Sequence, residues 1–154
     1  MPTLFTHRRL RLHRRHREVS VPQLTGISHI TLSVRDRNDS VEFYRDVLGF
    51  REFETKDEAR WLRTTCRHSS GLLLCLTQHR DHFNARFDYR HAGVDHIGFE
   101  VVDLVALESW EERLTSFDVE HSPIVHCSSG SLLSFEDPDG FQLELHCPTE
   151  ADDD

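Results

Sequence analysis

The chain has 154 residues, of which 27 are acidic and 18 are lysine or arginine, giving a formal net charge of −9. This length suits one domain built from two halves, and the acidic balance argues against nucleic acid as the main partner. No apolar run is long enough to span a bilayer, so we expect no membrane partner either.

The two ends of the chain differ in composition from its body. Residues 1–17 hold six arginines, three histidines and no acidic residue, and we predict a basic, flexible arm over residues 1–24. Residues 150–154 are predicted to be an acidic, solvated tail. The arm lacks the apolar stretch of a secretory signal, and the four cysteines form no CxxC pair. We therefore expect a cytoplasmic protein with reduced thiols.

The first regular element is a strand followed by a helix. From Ser28 to Asp36 polar and apolar residues alternate, which predicts a strand over about 27–34 with one polar and one apolar face. Apolar residues then recur at helical spacing, which predicts a helix over about 40–48. Asn38 or Asp39 is expected to cap its start, and Gly49 its end. Three further strands are predicted over about 49–54, 60–66 and 72–77.

The same strand and helix occur a second time. His29, Asp36, Phe43 and Phe50 each have a counterpart 67 residues later, and a constant offset of this kind marks an internal repeat. A polar linker over about 79–93 separates the two copies. The second copy is predicted to place strands at about 96–102, 119–121, 131–136 and 141–146, and a helix at about 105–116. A turn is expected at residues 137–140, where the sequence reads Asp-Pro-Asp-Gly.

This pattern predicts an α+β fold made of two βαβββ modules, at about 25–78 and 94–148, within a single domain over 25–149. The strands are expected to form a curved, mostly antiparallel, eight-stranded sheet shaped like a cup, with the helices on its outer face. The inner face would be polar, which favours a solvated pocket over a second core. The residues predicted to line this pocket are Thr31, Ser33, Thr77 and Gln142.

Three side chains on this inner face form a candidate metal site. His29 and His96 occupy matched positions of the repeat, and Glu144 lies between two apolar residues of the last strand. Two imidazoles and one carboxylate bind divalent iron, manganese, nickel or zinc and leave coordination positions open for water and substrate. On the same face, His146 is a candidate for acid–base help, and Glu100 could act as a base or pair with an arginine.

The motifs around these residues resemble the vicinal oxygen chelate superfamily, which includes glyoxalase I, extradiol dioxygenases, and the fosfomycin- and bleomycin-resistance proteins. The resemblance covers residues 26–148 and rests on three stretches, at 28–50, 95–97 and 135–145. It implies the paired βαβββ fold, and it implies that His29, His96 and Glu144 are the metal ligands. The superfamily's fourth ligand position falls on Cys75, where glyoxalase I-like members have glutamate, so glyoxalase I activity is not favoured.

The resemblance implies a metal-dependent enzyme that binds one divalent ion per site and acts on a small molecule with vicinal oxygens. The His, His, Glu set favours iron and chemistry of the extradiol dioxygenase type, although zinc, nickel or manganese would suit a lyase, isomerase or epimerase. Two other hypotheses remain: a metal-free drug-binding protein like the bleomycin-resistance proteins, and a homologue that has lost the chemistry. A homodimer is expected, and the sequence leaves open whether the site closes within one chain or between two.

Overall fold

The computed structural model of the chain describes residues 21–149. The first half contains β1 (Ile30–Ser33), α1 (Arg37–Asp46), β2 (Arg51–Asp57), β3 (Trp61–Arg67) and β4 (Leu73–His79). The second half contains β5 (His96–Glu100), α2 (Leu104–Ser116), β6 (Val125–Cys127), β7 (Gly130–Glu136) and β8 (Gln142–Pro148). Each half is therefore a βαβββ module, as predicted. The predicted arm over 1–24 lies mostly, and the predicted tail over 150–154 entirely, outside the described residues.

The eight strands form two four-stranded sheets, one for each module. The first sheet has the order β1-β4-β3-β2 and the second the order β5-β8-β7-β6. The first strand of each module is parallel to the last strand, and the other pairs are antiparallel. This arrangement confirms the α+β class. It also leaves β1 and β5 as edge strands of their sheets, each with one edge free of pairing in the described chain.

The sixth strand was predicted in the wrong place. Residues 119–121 form no strand, and only His121 makes an isolated bridge, to Phe135. The strand that pairs with β7 is β6, which lies in the segment predicted to be a loop. Pro123 separates the two segments and has no N–H to donate to a sheet, so pairing with β7 becomes regular only beyond it.

Both helices begin in the same way, which agrees with the internal repeat. The side chain of Asp36 accepts hydrogen bonds from the backbone N–H groups of Asn38 and Asp39, and Asp103 accepts one from Ala106 at the start of α2. The predicted cap at Asn38 or Asp39 was therefore wrong. Asp36 is the cap, because it has the extended backbone that an N-cap requires. Gly49 has a φ of 76°, the left-handed conformation expected after the first helix.

The alternation along the strands separates a helix-facing side from a polar side. Leu32 and Val34 of the β1 segment are buried, whereas Thr31 and Ser33 are exposed. Val41 and Tyr44 of α1 are also buried, in the same apolar cluster as Leu32. The core therefore lies between the helices and the sheets, and the opposite faces of the sheets carry the polar residues.

The two modules are joined by a buried carboxylate. Tyr44 of α1 donates a hydrogen bond from its hydroxyl to Asp137 Oδ2 at 3.1 Å, and the other oxygen of Asp137 accepts from the backbone N–H groups of Asp139 and Phe141. Burial raises the pKa of Asp137 and, more strongly, that of Tyr44. The turn that leads into β8 is thereby fixed to the first module.

Two arginines add further contacts between the modules. Arg35 donates its Nε to Asp139 Oδ1 at 2.6 Å and an amino group to the carbonyl of Pro138 at 2.8 Å. Arg113 of α2 donates to the carbonyls of Asp46 and Val47 at 2.6 and 2.7 Å, which satisfies backbone acceptors at the carboxyl end of α1. Neither described helix has the length and apolar character needed to cross a bilayer.

We expect the Asp137→Ala variant to unfold at lower urea concentration, with a loss of about 2–4 kcal/mol in the free energy of unfolding. Removing the carboxylate leaves the backbone N–H groups of Asp139 and Phe141 buried without an acceptor, which costs about 1–3 kcal/mol for each group. It also removes the hydrogen bond from Tyr44. Tyr44→Phe should cost only about 1 kcal/mol. Alanine at the exposed Asp81 is the matched control. A loss below about 0.5 kcal/mol in Asp137→Ala would contradict this role for the carboxylate.

Candidate metal and substrate site

The second sheet brings two of the three predicted ligands onto one face. In the parallel pairing of β5 with β8, His96 is opposite Gln142 and Gly98 is opposite Glu144, so all four residues lie on the same side of the sheet. Glu144 Oε1 lies 3.8 Å from the position that a Cβ atom at Gly98 would occupy. A side chain at residue 98 would therefore contact the carboxylate, and the glycine keeps the space around Glu144 open.

The imidazole of His96 is oriented by its neighbour in the sequence. Its Nδ1 lies 2.8 Å from Asp95 Oδ1, and its side chain is half exposed. A carboxylate that accepts the Nδ1 proton selects the tautomer in which Nε2 carries a free lone pair. The arrangement is the one usually found behind a metal-binding histidine. His96 and Glu144 thus supply one nitrogen and one carboxylate to the same face.

The third predicted ligand lies on the first sheet. His29 directly precedes β1, is exposed, and has its Nδ1 at 2.9 Å from Ser28 Oγ. On the same face of this sheet, Thr31 is opposite Cys75 and Ser33 is opposite Thr77. The register places Cys75 in the first sheet where Glu144 stands in the second. Cys75 is nearly buried, with its Sγ at 3.6 Å from Thr65 Oγ1.

The predicted residues are divided between two cavities of the chain. His96, Gln142 and Glu144 line a cavity of about 350 Å³ together with Tyr89 and Ser134. A second cavity of about 400 Å³ lies against β1 and the linker. It is lined by Thr31 and Ser33 of β1, which were also predicted to line the pocket. Thr77, the remaining one, is buried at 1% exposure.

Within a single chain the three predicted ligands do not come together. Over residues 21–149, no group of three His, Cys, Asp or Glu side chains is arranged to hold a metal ion. The strands of the first sheet contact no strand of the second in this part of the chain, because the modules meet through α1, the turn before β8 and the end of α2. His29 is thus separated from His96 and Glu144 by the way the modules pack.

The two candidate acid–base residues are adjacent on the second sheet. Glu100 of β5 is opposite His146 of β8, two residues further along both strands than the pair formed by Gly98 and Glu144. Both therefore lie on the polar face, Glu100 exposed and His146 half-buried. Glu100 also borders an apolar crevice of about 490 Å³ between the modules, which contains none of the predicted ligands.

The polar faces of the two sheets differ in charge, a feature that the predicted site did not include. In the first sheet, Arg63 of β3 is opposite Thr77, and Arg67 is opposite Leu73, so both arginines share a face with Thr31 and Ser33. Lys56 of β2 is opposite Arg63. The second sheet carries Glu100, Glu136 and Glu144 on the corresponding face. The alternation of polar residues at 63, 65 and 67 was the available signal for the cationic face.

The cysteines have different environments. Burial raises the pKa of the Cys66 thiol to about 11, with smaller contributions from Glu52 and Cys75. Cys127 is exposed, and hydrogen bonding with Ser129 lowers its pKa. By register, Cys127 lies at the margin of the face that carries Glu144, because it is opposite Gly130, which is in turn opposite Pro148.

Comparison with known proteins identifies the family to which these features belong. Residues 26–145 match the model of the glyoxalase/bleomycin resistance protein/dioxygenase superfamily. The chain is 26% identical over 133 residues to the metallothiol transferase FosB of Staphylococcus saprophyticus, which covers 84% of this chain and 81% of FosB. It is also 26% identical over 140 residues to the putative ring-cleaving dioxygenase MhqA of Bacillus subtilis, covering 84% of this chain and 42% of MhqA.

Solved structures agree with this relationship. A glyoxalase/bleomycin resistance protein/dioxygenase domain from Frankia sp. EAN1pec superimposes with a TM-score of 0.79 at 29% identity, covering 84% of this chain and 96% of that one. A point mutant of the fosfomycin resistance protein FosX from Listeria monocytogenes, solved with Mn(II) and 1S,2S-dihydroxypropylphosphonic acid, has a TM-score of 0.64 at 25% identity. It covers 83% of this chain and 94% of FosX.

The cysteine environments predict an order of alkylation by iodoacetamide at neutral pH. Cys127 should react first, because it is exposed and its lowered pKa increases the thiolate fraction. Cys66 should react only after unfolding, since it is buried and its pKa is raised to about 11. Mass spectrometry of tryptic peptides measures both rates. Labelling of Cys66 in the folded protein as fast as that of Cys127 would show that these environments are wrong.

Proposed function

Because the chain belongs to the glyoxalase/bleomycin resistance protein/dioxygenase superfamily, we propose that it is a metal-dependent enzyme that acts on a small molecule with two neighbouring oxygens. The observation that carries the proposal is the placement of His96 and Glu144 on the same polar face, with His96 oriented by Asp95 at 2.8 Å and with the space beside Glu144 left open by Gly98. The FosX relative was solved with a divalent ion, Mn(II).

We propose that His29, His96 and Glu144 are the metal ligands. Two imidazoles and a carboxylate form the donor set that iron(II) and manganese(II) accept, with coordination positions left open. Nδ1 of His96 lies beside the carboxylate of Asp95, which accepts its proton and leaves Nε2 available to an ion. Nδ1 of His29 lies beside the hydroxyl of Ser28, which can accept the same proton, and metal binding at Nε2 of His29 would select that tautomer. Cys75 is a less suitable fourth ligand, because its thiol is nearly buried against Thr65.

We further propose that the site closes between two chains, with His29 of one chain beside His96 and Glu144 of the other. In one chain the two sheets turn their polar faces to different surroundings, and within residues 21–149 β1 and β5 each have an edge that pairs with no other strand. A symmetric pair of chains places the first sheet of each against the second sheet of the other, and two equivalent sites result. The opposite charges of the two polar faces favour this contact.

When bound, the ion would act as a Lewis acid on two neighbouring substrate oxygens. The residues of the chain would do the remaining work. Thr31, Ser33 and Gln142 offer hydroxyl and amide groups to orient the substrate on the polar faces. His146 and Glu100 are opposite one another, close enough in register for one to accept a substrate proton while the other supports it by hydrogen bonding.

The relatives support two reaction types. FosB is named a metallothiol transferase, which corresponds to addition of a nucleophile to the bound substrate. MhqA is named a putative ring-cleaving dioxygenase, which corresponds to the extradiol chemistry and the iron predicted from the ligand set. A lyase or isomerase reaction of the glyoxalase type uses the same chelation. The identity of the metal in the purified protein distinguishes these reactions.

We expect the protein purified without an affinity metal or a chelator to contain about one divalent ion per chain. Plasma mass spectrometry measures the content. Iron would favour catechols as substrates, and manganese, zinc or nickel would favour addition or isomerisation. His29→Ala should lose the ion, whereas the exposed His82→Ala control should keep it. Absence of metal uptake by the wild type would contradict the enzyme proposal and favour a metal-free binding protein.

The site between chains makes a second prediction. His29→Ala and Glu144→Ala should each abolish metal binding, but chains of the two variants mixed, unfolded and refolded together should recover about a quarter of the wild-type metal content. Half of the dimers would then be mixed, and each would contain one intact site and one doubly altered site. If the site closed within one chain, mixing would restore nothing. Native mass spectrometry of the refolded sample checks that mixed dimers have formed.

A further inference from the structure

We propose that Arg63 is an anion-recognition residue and that the substrate carries an oxyanion, such as a carboxylate or phosphate, at a distance from its two chelating oxygens. This inference rests on the proposed function and adds the class of substrate. Its basis is a guanidinium that is held in place on the polar face of the first sheet and has no acidic partner among residues 21–149.

Arg63 is positioned by two contacts within the first module. Its Nε donates to Thr77 Oγ1 at 2.7 Å, and Thr77 is itself only 1% exposed. Its guanidinium carbon lies 4.4 Å from the centre of the Trp61 ring. A guanidinium held at Nε and stacked on an aromatic ring keeps its outer amino groups available in a fixed orientation, and that fork matches the two oxygens of a carboxylate or phosphate.

The other basic residues of this face are less suited to the role. Nζ of Lys56 lies 3.1 Å from Oε2 of Glu54, and this ion pair neutralises the charge of the lysine. Arg51 and Arg67 are opposite one another on β2 and β3, and both are exposed. Arg67 stacks on the ring of Phe53, at 4.5 Å from its centre, and within residues 21–149 no hydrogen bond fixes either guanidinium. Arg63 is half-buried and is the best oriented of the four. In the whole of residues 94–149 the only lysine or arginine is Arg113, which is used to hold α1.

The register fixes where this cation stands relative to the proposed metal. Ser33, Thr77 and Arg63 form one row across β1, β4 and β3, which puts Arg63 about 10 Å from β1 at the usual strand spacing. His29 lies four residues before Ser33, about 13 Å along the strand. The anion must therefore be separated from the chelating oxygens by a spacer, such as an aromatic ring with a side chain.

The test compares two chelating compounds that differ in a remote carboxylate. Catechol and 3-(3,4-dihydroxyphenyl)propanoate are titrated under anaerobic conditions into the Mn(II)-loaded protein in a calorimeter. We expect the propanoate to bind about tenfold to a hundredfold more tightly than catechol, the advantage of a charge-assisted pair. Arg63→Gln should abolish that advantage and leave the affinity for catechol unchanged. Arg63→Lys, which keeps the charge but loses the fork, should retain part of it.

Arg45→Gln is the matched control, because it removes the same charge from the outer face of α1, where Arg45 is exposed and pairs with Asp46. It should keep the full preference for the propanoate. Equal affinities of the wild type for the two compounds, or a preference that survives Arg63→Gln, would overturn the role of Arg63 while leaving the metal chelation intact. If the metal-loaded wild type bound neither compound, the proposed function would fail, and the inference with it.

Discussion

The interaction on which the rest of the structure depends is the buried carboxylate of Asp137. It accepts the hydroxyl of Tyr44 from the first module and two backbone N–H groups of its own turn. Burial disfavours the charged form of this carboxylate and raises the pKa of Asp137. The three hydrogen-bond donors offset part of the cost of burying it. The turn leads directly into β8, and the orientation of Glu144 therefore depends on a contact made with the other module.

This packing also explains the division of the candidate site. With the modules joined through the helices and the turn, the polar faces of the two sheets remain separate in one chain. One face carries His29 and the cations of β2 and β3, and the other carries His96, Glu144 and further carboxylates. Each face is incomplete as a metal site, and each has the charge that the other lacks. Two chains can supply both faces, and an anionic substrate fits the cationic one.

Much of the fold could be predicted because the repeat supplies two copies of each signal. The repeat matched Asp36 with Asp103, although the cap of the first helix was predicted at Asn38 or Asp39 and lies at Asp36. The alternation along β1 and β8 assigns the correct residues to the polar face. The sixth strand was predicted in the wrong place because a strand of three residues is too short for its period to distinguish it from the neighbouring segment. The packing of the modules was not predictable, since it depends on the long-range bond between Tyr44 and Asp137. Arg63 was overlooked because its orientation depends on Thr77 and Trp61.

The most direct measurement is anomalous X-ray diffraction from crystals of the manganese-loaded protein, which locates the ion and assigns its ligands to chains. We expect one peak per site, about 2.0–2.3 Å from Nε2 of His29 in one chain and from Nε2 of His96 and a carboxylate oxygen of Glu144 in its partner. A peak coordinated by ligands from a single chain would contradict the two-chain site. A peak away from all three residues, or none at full manganese occupancy in solution, would contradict the ligand assignment itself.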